Sequence, residues 1–302
     1  MRLIRIVAVP FDGGGGEKSE GCAIAPQYIS RYLGNNDWRT AENGLSPIFM
    51  WDAIFADMPK NFDSFLPYAE EQLARYNFDI ILGGDNSISI AGYRAVVKKF
   101  GGPVMLVHAD AHPDCRDPNM LSSSDPHASW VRQLIEEGSL DPQNYFLFGS
   151  RANDRRGDAD GSEYDYLRRL KIFNHVFSMS ALENSQIPMH NPLDFASLFN
   201  FLFIADTELA KKIKGIYCAF DIDVIDPSLA PGTGCQASGG WNYRQARAFL
   251  RGLHEVAFRL GLAVKGDLTE VNPRFDEGGR TVRCAGDLLR EWSSFFDEFG
   301  KI

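Results

Sequence analysis

Two clusters of acidic residues have the spacing of metal ligands. Asp110, His112 and Asp114 occupy every second position, and Asp221 and Asp223 repeat that spacing further along the chain. In an extended segment, side chains two residues apart point to one face. Buried together without a cation, these carboxylates would repel one another. A ligand set of mostly oxygen with one imidazole favours a hard divalent ion such as Mn²⁺, and this many carboxylates can hold two.

Both clusters follow short apolar runs that predict strands buried on both faces. Six such runs, rich in Val, Ile and Phe, show almost no polar alternation. They lie at residues 3–9, 78–82, 104–107, 145–148, 216–220 and 262–264, separated by amphipathic segments of helical period. Alternating strands and helices predict a parallel sheet. We therefore expect residues 1–302 to form a single three-layer α/β/α domain around a central, mostly parallel sheet.

Functional sites of such sheets lie at the carboxyl ends of the strands. Both acidic clusters follow a predicted strand directly, as does a glycine-rich turn at residues 83–87, and Glu270 comes a few residues after the last run. An aspartate at this place is also a common helix N-cap. Capping requires one aspartate, however, whereas the clusters carry two or three at a period of two. We therefore interpret the clusters as a metal site.

Composition and charge argue against several classes of protein. The 302 residues carry 31 lysines and arginines against 40 aspartates and glutamates, a net charge of −9. This balance argues against nucleic acid or an anionic membrane as the main partner. No apolar run reaches the ~20 residues of a membrane span, and residues 1–10 lack the pattern of a signal peptide. The five cysteines form no CxxC pair, so we expect a cytoplasmic protein without a disulfide framework.

Several motifs together resemble those of the ureohydrolases, the family of arginases, agmatinases, other guanidino-acid amidinohydrolases and formimidoylglutamases. The matching segments are residues 9–14, 110–114, 149–151, 220–234, 270–273 and 276–281. The most specific are Asp-Ala-His-Pro-Asp at 110–114 and Glu-Val-Asn-Pro at 270–273. The resemblance extends from about Val9 to Asp287 and implies an arginase-like fold.

By this resemblance the site holds two manganese ions. The implied ligands form two sets that share both bridging aspartates: Asp110, Asp114 and Asp221 for the first ion, and Asp110, His112, Asp221 and Asp223 for the second. The family has a further His ligand to the first ion, in a Gly-Gly-Asp-His-Ser segment. That segment reads Gly-Gly-Asp-Asn-Ser here, and Asn86 replaces the His. Because an amide oxygen is a poorer donor than imidazole for a transition metal, we expect the first ion to bind weakly.

The resemblance implies hydrolysis of a guanidino or formimino C–N bond by a manganese-activated hydroxide. Asp114 would carry the proton to the leaving amine, and Glu270 would pair with the substrate cation and hold its carbon over the hydroxide. His127 falls where the family has a loop His that exchanges protons with solvent, although a lone loop His can equally be a plain surface residue. We interpret His108 as a hydrogen-bonded residue behind the ligands rather than as a ligand.

The sequence leaves the identity of the substrate open. Arg116 and Asp154 lie in segments that contact the far end of the substrate in relatives. Acidic residues in the segment 158–165 would attract a cationic amine such as agmatine or form a solvated loop, whereas nearby arginines would bind a carboxylate. The Ala-Pro-Gly-Thr-Gly segment resembles the agmatinase branch, which favours an agmatinase-like hydrolase. Cys115 and Cys235 adjoin the site and are interpreted as packed side chains.

Two classes of function remain open. The first is an active binuclear hydrolase that tolerates Asn86, either agmatinase-like or a formimidoylglutamase, and the other motif residues favour it. The second is a metal-poor, non-catalytic relative that acts as a structural or regulatory subunit, which Asn86 alone favours. The resemblance also implies a homo-oligomer, a trimer or hexamer, with a small guanidino or amidino compound as its ligand.

Overall fold

The β-strands form one sheet in which all neighbouring strands run parallel. The computed structural model describes residues 3–34, 49–53, 58–119, 126–151, 162–184, 192–205 and 211–300. Its strands are β1 Ile4–Val9, β2 Phe49–Ala53, β3 Ile80–Gly83, β4 Val104–Ala109, β5 Tyr145–Phe148, β6 Val176–Phe177, β7 Gly215–Asp221 and β8 Ala263–Thr269. Their order is β2-β1-β3-β8-β7-β4-β5-β6, with parallel pairing throughout.

Helices cover both faces of this sheet. In the described residues the α-helices are α1 Gly16–Ser19, α2 Ala25–Tyr32, α3 Phe62–Arg75, α4 Ile88–Phe100, α5 Trp130–Glu136, α6 Ser162–Arg169, α7 Met179–Asn184, α8 Pro192–Ala205, α9 Tyr243–Leu260 and α10 Arg280–Phe299. One hydrophobic core joins α2, α8, α9 and α10 to the sheet, and a second joins α3, α4, α5 and α6 to the opposite face. The predicted three-layer arrangement is confirmed.

Alternation within a strand explains why the predicted runs lack polar residues. In β4, Met105 and Val107 enter the core under α8, α9 and α10, whereas Val104 and Leu106 enter the opposite core. Successive side chains of a strand point to opposite faces, and here both faces are covered. Every residue of β4 is therefore buried, and its one polar side chain, His108, lies against Tyr145 and Asp110.

Local signals set the ends of the long helices. The Asn242 side chain accepts the backbone N–H of Gln245, and the Gln245 side chain accepts that of Asn242, a capping box that starts α9. The helix ends at Gly261, whose φ of 69° is left-handed and favours glycine. None of the helices in the described part of the chain has the length and apolarity that spanning a bilayer requires.

Candidate active site

The carboxyl ends of the four central strands bring most of the predicted site residues together. These strands are adjacent in the order β3-β8-β7-β4, and a cavity of about 410 Å³ lies at their carboxyl ends. The predicted residues that line it are Asn86, His112, Asp114, Arg116, His127, Asp221, Asp223 and Glu270. Asp110 is fully buried beside them, and Asp154 lies outside the described residues.

One group of three side chains, the second cluster, consists of Asp110, His112 and Asp223. His112 Nδ1 lies 2.8 Å from Asp223 Oδ2 and 3.4 Å from Asp110 Oδ1. Burial lowers the pKa of His112, but the charge of Asp223 and hydrogen bonds to both carboxylates more than offset it and raise that pKa well above the usual value. The two carboxylates beside the ring thus favour a positive charge at this place.

A neighbouring group, the first cluster, consists of Asn86, Asp110, Asp114 and Asp221. Asn86 Nδ2 donates to Oδ2 of Asp221 at 2.7 Å, of Asp114 at 3.0 Å and of Asp110 at 3.4 Å. The Asn86 oxygen faces away and accepts the hydroxyl of Thr269. From the sequence we expected an amide oxygen at this point, whereas the structure has the amide nitrogen there.

Asp110 and Asp221 each cap a turn with one carboxylate oxygen and face the first cluster with the other, so both sequence interpretations of these aspartates describe part of their geometry. Asp221 Oδ1 accepts the N–H of Asp223 at 2.6 Å, and Asp110 Oδ1 accepts that of His112 at 2.6 Å. Each of the two aspartates thereby closes a turn just beyond its strand and leaves Oδ2 directed into the first cluster. The backbone of the turn therefore fixes the orientation of the carboxylate.

The charged forms of three carboxylates, those of Asp110, Asp114 and Asp221, are disfavoured in this site. Burial above all, and then neighbouring negative charge, raises the pKa of Asp110 to about 7 and the pKa values of Asp114 and Asp221 well above the usual range. Within the described residues none of the three forms an ion pair with Lys or Arg. The donors of the second cluster lie within 4.8 Å of one another, and two carboxylates with an imidazole suit a hard divalent ion.

The Glu270 carboxylate faces the same cavity. Its Oε1 accepts the backbone N–H of Asn86 at 2.9 Å, and its Oε2 lies 3.7 Å from Cys22 Sγ. Burial and then the charge of Asp85 raise the pKa of Glu270 well above its usual range. Glu270 and Asp114 also have left-handed backbone, with φ of 61° and 50°, a strained conformation that is common at functional sites.

Comparison with known proteins decides the family. The sequence pattern of the arginase family matches residues 2–294. The chain belongs to the arginase family. Its sequence is 33% identical over 213 residues to human mitochondrial guanidino acid hydrolase, covering 70% of this chain and 53% of that protein. Against guanidinopropionase of Pseudomonas aeruginosa it is 27% identical over 302 residues, covering 95% and 85%. The chain thus spans about half the length of the human relative.

Solved structures of the arginase family share the fold. Proclavaminate amidinohydrolase of Streptomyces clavuligerus superposes with a TM-score of 0.72 at 25% identity, covering 98% of this chain and 92% of that one. Arginase of Bacillus cereus superposes with a TM-score of 0.73 at 23% identity, covering 97% and 98%. The predicted resemblance to the ureohydrolases and the predicted arginase-like fold are both confirmed.

In this arginase-family chain, two buried side chains support the carboxylates from behind. Trp130 Nε1 donates to Asp114 Oδ2 at 2.8 Å. His108 Nε2 lies 2.8 Å from Asp110 Oδ2, and burial lowers the pKa of His108 to about 4, so the ring is neutral near pH 7. The sequence indicated the role of His108, because His108 lies two residues before Asp110 and so on the same strand face. No feature of the sequence near Trp130 indicated that it contacts Asp114.

The rim of the cavity carries the remaining predicted residues. His127 Nδ1 lies 3.0 Å from the carbonyl oxygen of Gly14; since a carbonyl only accepts, we assign the ring proton to Nδ1. Arg116 Nε lies 4.0 Å from Glu163 Oε2. Cys115 is buried with its Sγ 3.2 Å from the carbonyl oxygen of Pro113, and Cys235 lines the cavity.

Proposed function

We propose that this protein hydrolyses a guanidino compound to urea and an amine in a reaction that requires a divalent metal ion. The observation that carries the proposal is that Glu270 lines the same cavity as residues of both clusters. A carboxylate there can pair with a guanidinium, and the clusters can hold the metal that activates water. Membership of the arginase family supports the same reaction class.

The second cluster has the donor atoms for the ion, namely Asp110 Oδ1, His112 Nδ1 and Asp223 Oδ2. Oxygen-rich sets of this kind suit manganese. A bound divalent ion supplies Lewis acidity, which lowers the pKa of water and provides a nucleophile near neutral pH. The turns closed by Asp110 and by Asp221 hold the ligands in place, so little reorganisation is needed on binding.

The other side chains bind the substrate and move protons. Glu270 pairs with the guanidinium, and the Asn86 N–H holds its carboxylate in position. Asp114 delivers a proton to the leaving nitrogen; Trp130 and Asn86 both donate to its Oδ2, which leaves Oδ1 for the transfer. His127, with its proton on Nδ1, offers Nε2 as the group that exchanges protons between the cavity and solvent.

For the far end of the substrate we infer a carboxylate. Lys18 and Arg116 both line the cavity, and Lys18 forms no ion pair with the described residues. The relatives named guanidinopropionase, guanidinobutyrase and guanidino acid hydrolase support this class. Agmatine is the second candidate, because Glu163 also lines the cavity and would bind an amine.

A substrate panel tests the proposal. Protein loaded with manganese is assayed for urea or ammonia with guanidinopropionate, guanidinobutyrate, agmatine, arginine and formimidoylglutamate. We expect the highest kcat/KM with a guanidino acid, and Lys18→Met should raise its KM by about fivefold while leaving the KM for agmatine unchanged. No turnover of any compound by metal-loaded protein would instead support the non-catalytic class.

A further inference from the structure

The nitrogen atom that faces the carboxylates differs between the two clusters: it is Nδ2 of Asn86 in the first cluster and Nδ1 of His112 in the second. In the first cluster Asn86 Nδ2 points to three carboxylate oxygens, the nearest at 2.7 Å. An amide nitrogen carries two hydrogens and offers no lone pair to a metal. We propose that the Asn86 amide occupies the place of the first ion, so that this chain binds one divalent ion, in the second cluster.

The hydrogen bonds around Asn86 hold its amide in this orientation. Thr269 donates its hydroxyl to Asn86 Oδ1, and the Asn86 backbone N–H is held by Glu270 Oε1 at 2.9 Å. Rotating the amide by half a turn would direct its oxygen at three carboxylate oxygens and lose all three hydrogen bonds that Nδ2 donates, although the Thr269 hydroxyl could then accept from the amide nitrogen. Since Asn86 is 3% exposed, water cannot readily replace those bonds.

The Asp114 oxygen that faces Asn86, Oδ2, has its full set of hydrogen-bond donors without an ion. It accepts Asn86 Nδ2 at 3.0 Å and Trp130 Nε1 at 2.8 Å. A carboxylate oxygen has two lone pairs, and these two donors use both. An ion that binds to Oδ2 would have to displace at least one of them, at the cost of a buried, unpaired N–H group.

The second cluster, in contrast, is open to an ion. His112 lines the cavity and its side chain is 22% exposed. Its Nδ1 faces Asp223 Oδ2 and Asp110 Oδ1, and an imidazole that gives up the proton on Nδ1 offers a lone pair to an ion, which the Asn86 amide nitrogen cannot do. The inference rests on the proposed metal-dependent function and adds to it that Asp114 is not a metal ligand, so its carboxylate remains available for proton transfer.

Metal counts test this inference separately from turnover. Metal-free protein, prepared by chelation, is titrated with Mn²⁺ by calorimetry, and bound metal is measured by elemental analysis and electron paramagnetic resonance. We expect one manganese per wild-type chain with the spectrum of an isolated ion. Asn86→His should take two ions with an exchange-coupled spectrum, because affinity at the first cluster rises by at least ~10–100-fold.

A near-isosteric variant and a matched control complete the experiment. Asn86→Asp should also gain the second ion, and its metal-free form should melt at a lower temperature because a fourth carboxylate replaces the amide. Asn77→Asp makes the same change at an exposed position before β3 and should bind one ion like the wild type.

The outcomes separate the inference from the proposed function. Two tightly bound ions in the wild type, or one ion in both Asn86 variants, would overturn the inference while the hydrolase proposal stands. A wild-type chain that binds no manganese would overturn both.

Discussion

Buried carboxylates lie at both ends of the central strands, but only the one at the amino end, Asp79, is paired with a lysine among the described residues. At the amino end of β3, Asp79 forms an ion pair with Lys265 of β8 at 2.8 Å, with side chains only 3% and 6% exposed. Asp79 Oδ2 also accepts the backbone N–H of Arg5 at 3.1 Å. At the carboxyl end, Asp110, Asp114 and Asp221 are equally buried, yet no lysine or arginine among the described residues pairs with them.

We interpret this difference as one between a carboxylate that serves structure and carboxylates that serve the proposed function. A buried charge is costly unless it is paired. Asp79 is paired within the chain, so its site is complete when the protein folds. The charges of Asp110, Asp114 and Asp221 are only partly compensated, by the His112 ring and the Asn86 amide, and for this reason we propose that the site binds a cation from solution. Four substitutions test this comparison.

The largest effect is expected from Asp110→Ala. This variant removes one of the three proposed metal ligands of the second cluster. Manganese binding should therefore be lost, and kcat/KM should fall by about 10³-fold or more. Calorimetry and the urea assay measure both. Asp226→Ala is the control, because that carboxylate accepts the N–H groups of Ser228, Gly239 and Gly240 and does not line the cavity. Full metal binding by Asp110→Ala would refute the assigned ligand set.

At the opposite end, Lys265→Met should destabilise the protein without changing its affinity for manganese. It leaves the Asp79 charge buried and unpaired, which should cost about 3–5 kcal/mol of unfolding free energy in denaturant titrations. The double variant Asp79→Asn/Lys265→Met removes both charges and keeps an oxygen for the Arg5 N–H, so most of the loss should be recovered. A single variant as stable as the wild type would show that the pair is not structural.

Glu270→Gln should keep the metal and lose turnover. The amide preserves the shape of the side chain and removes the charge that opposes the substrate cation, so kcat/KM should fall by about 10²-fold. Glu277→Gln, at an exposed glutamate of the following segment, should leave turnover unchanged. If Glu270→Gln hydrolyses the substrate at a near-normal rate, the guanidinium is not bound there.

The smallest effect is expected from Trp130→Phe. The variant keeps most of the ring volume but removes the N–H donor to Asp114, so kcat should fall by about tenfold with little change in KM. Trp292→Phe is the matched control, since Trp292 Nε1 donates to His254 Nε2 within the core under α9 and α10. Equal losses in the two variants would indicate a general packing effect instead of support for Asp114.

The sequence by itself determined six of the eight strands that the structure describes, the three-layer order and the motifs of the candidate site, but it missed β2 and β6. These features are local in the sequence. A strand that is buried on both faces is an unbroken apolar run. A turn in which an aspartate accepts the N–H two residues later places site residues at every second position. Asp110, His112 and Asp114 were therefore recognisable together, and so were Asp221 and Asp223. The family followed from the same motifs.

Only the tertiary structure decided which partners those residues have. Thr269, which orients the Asn86 amide, and Trp130, which binds Asp114, come from β8 and α5. Lys265 neutralises Asp79 from 186 positions away in the chain. No periodicity encodes such contacts, because strand order in the sheet brings them together. Whether a buried carboxylate has a lysine partner within the chain, as Asp79 does, is therefore settled by the fold.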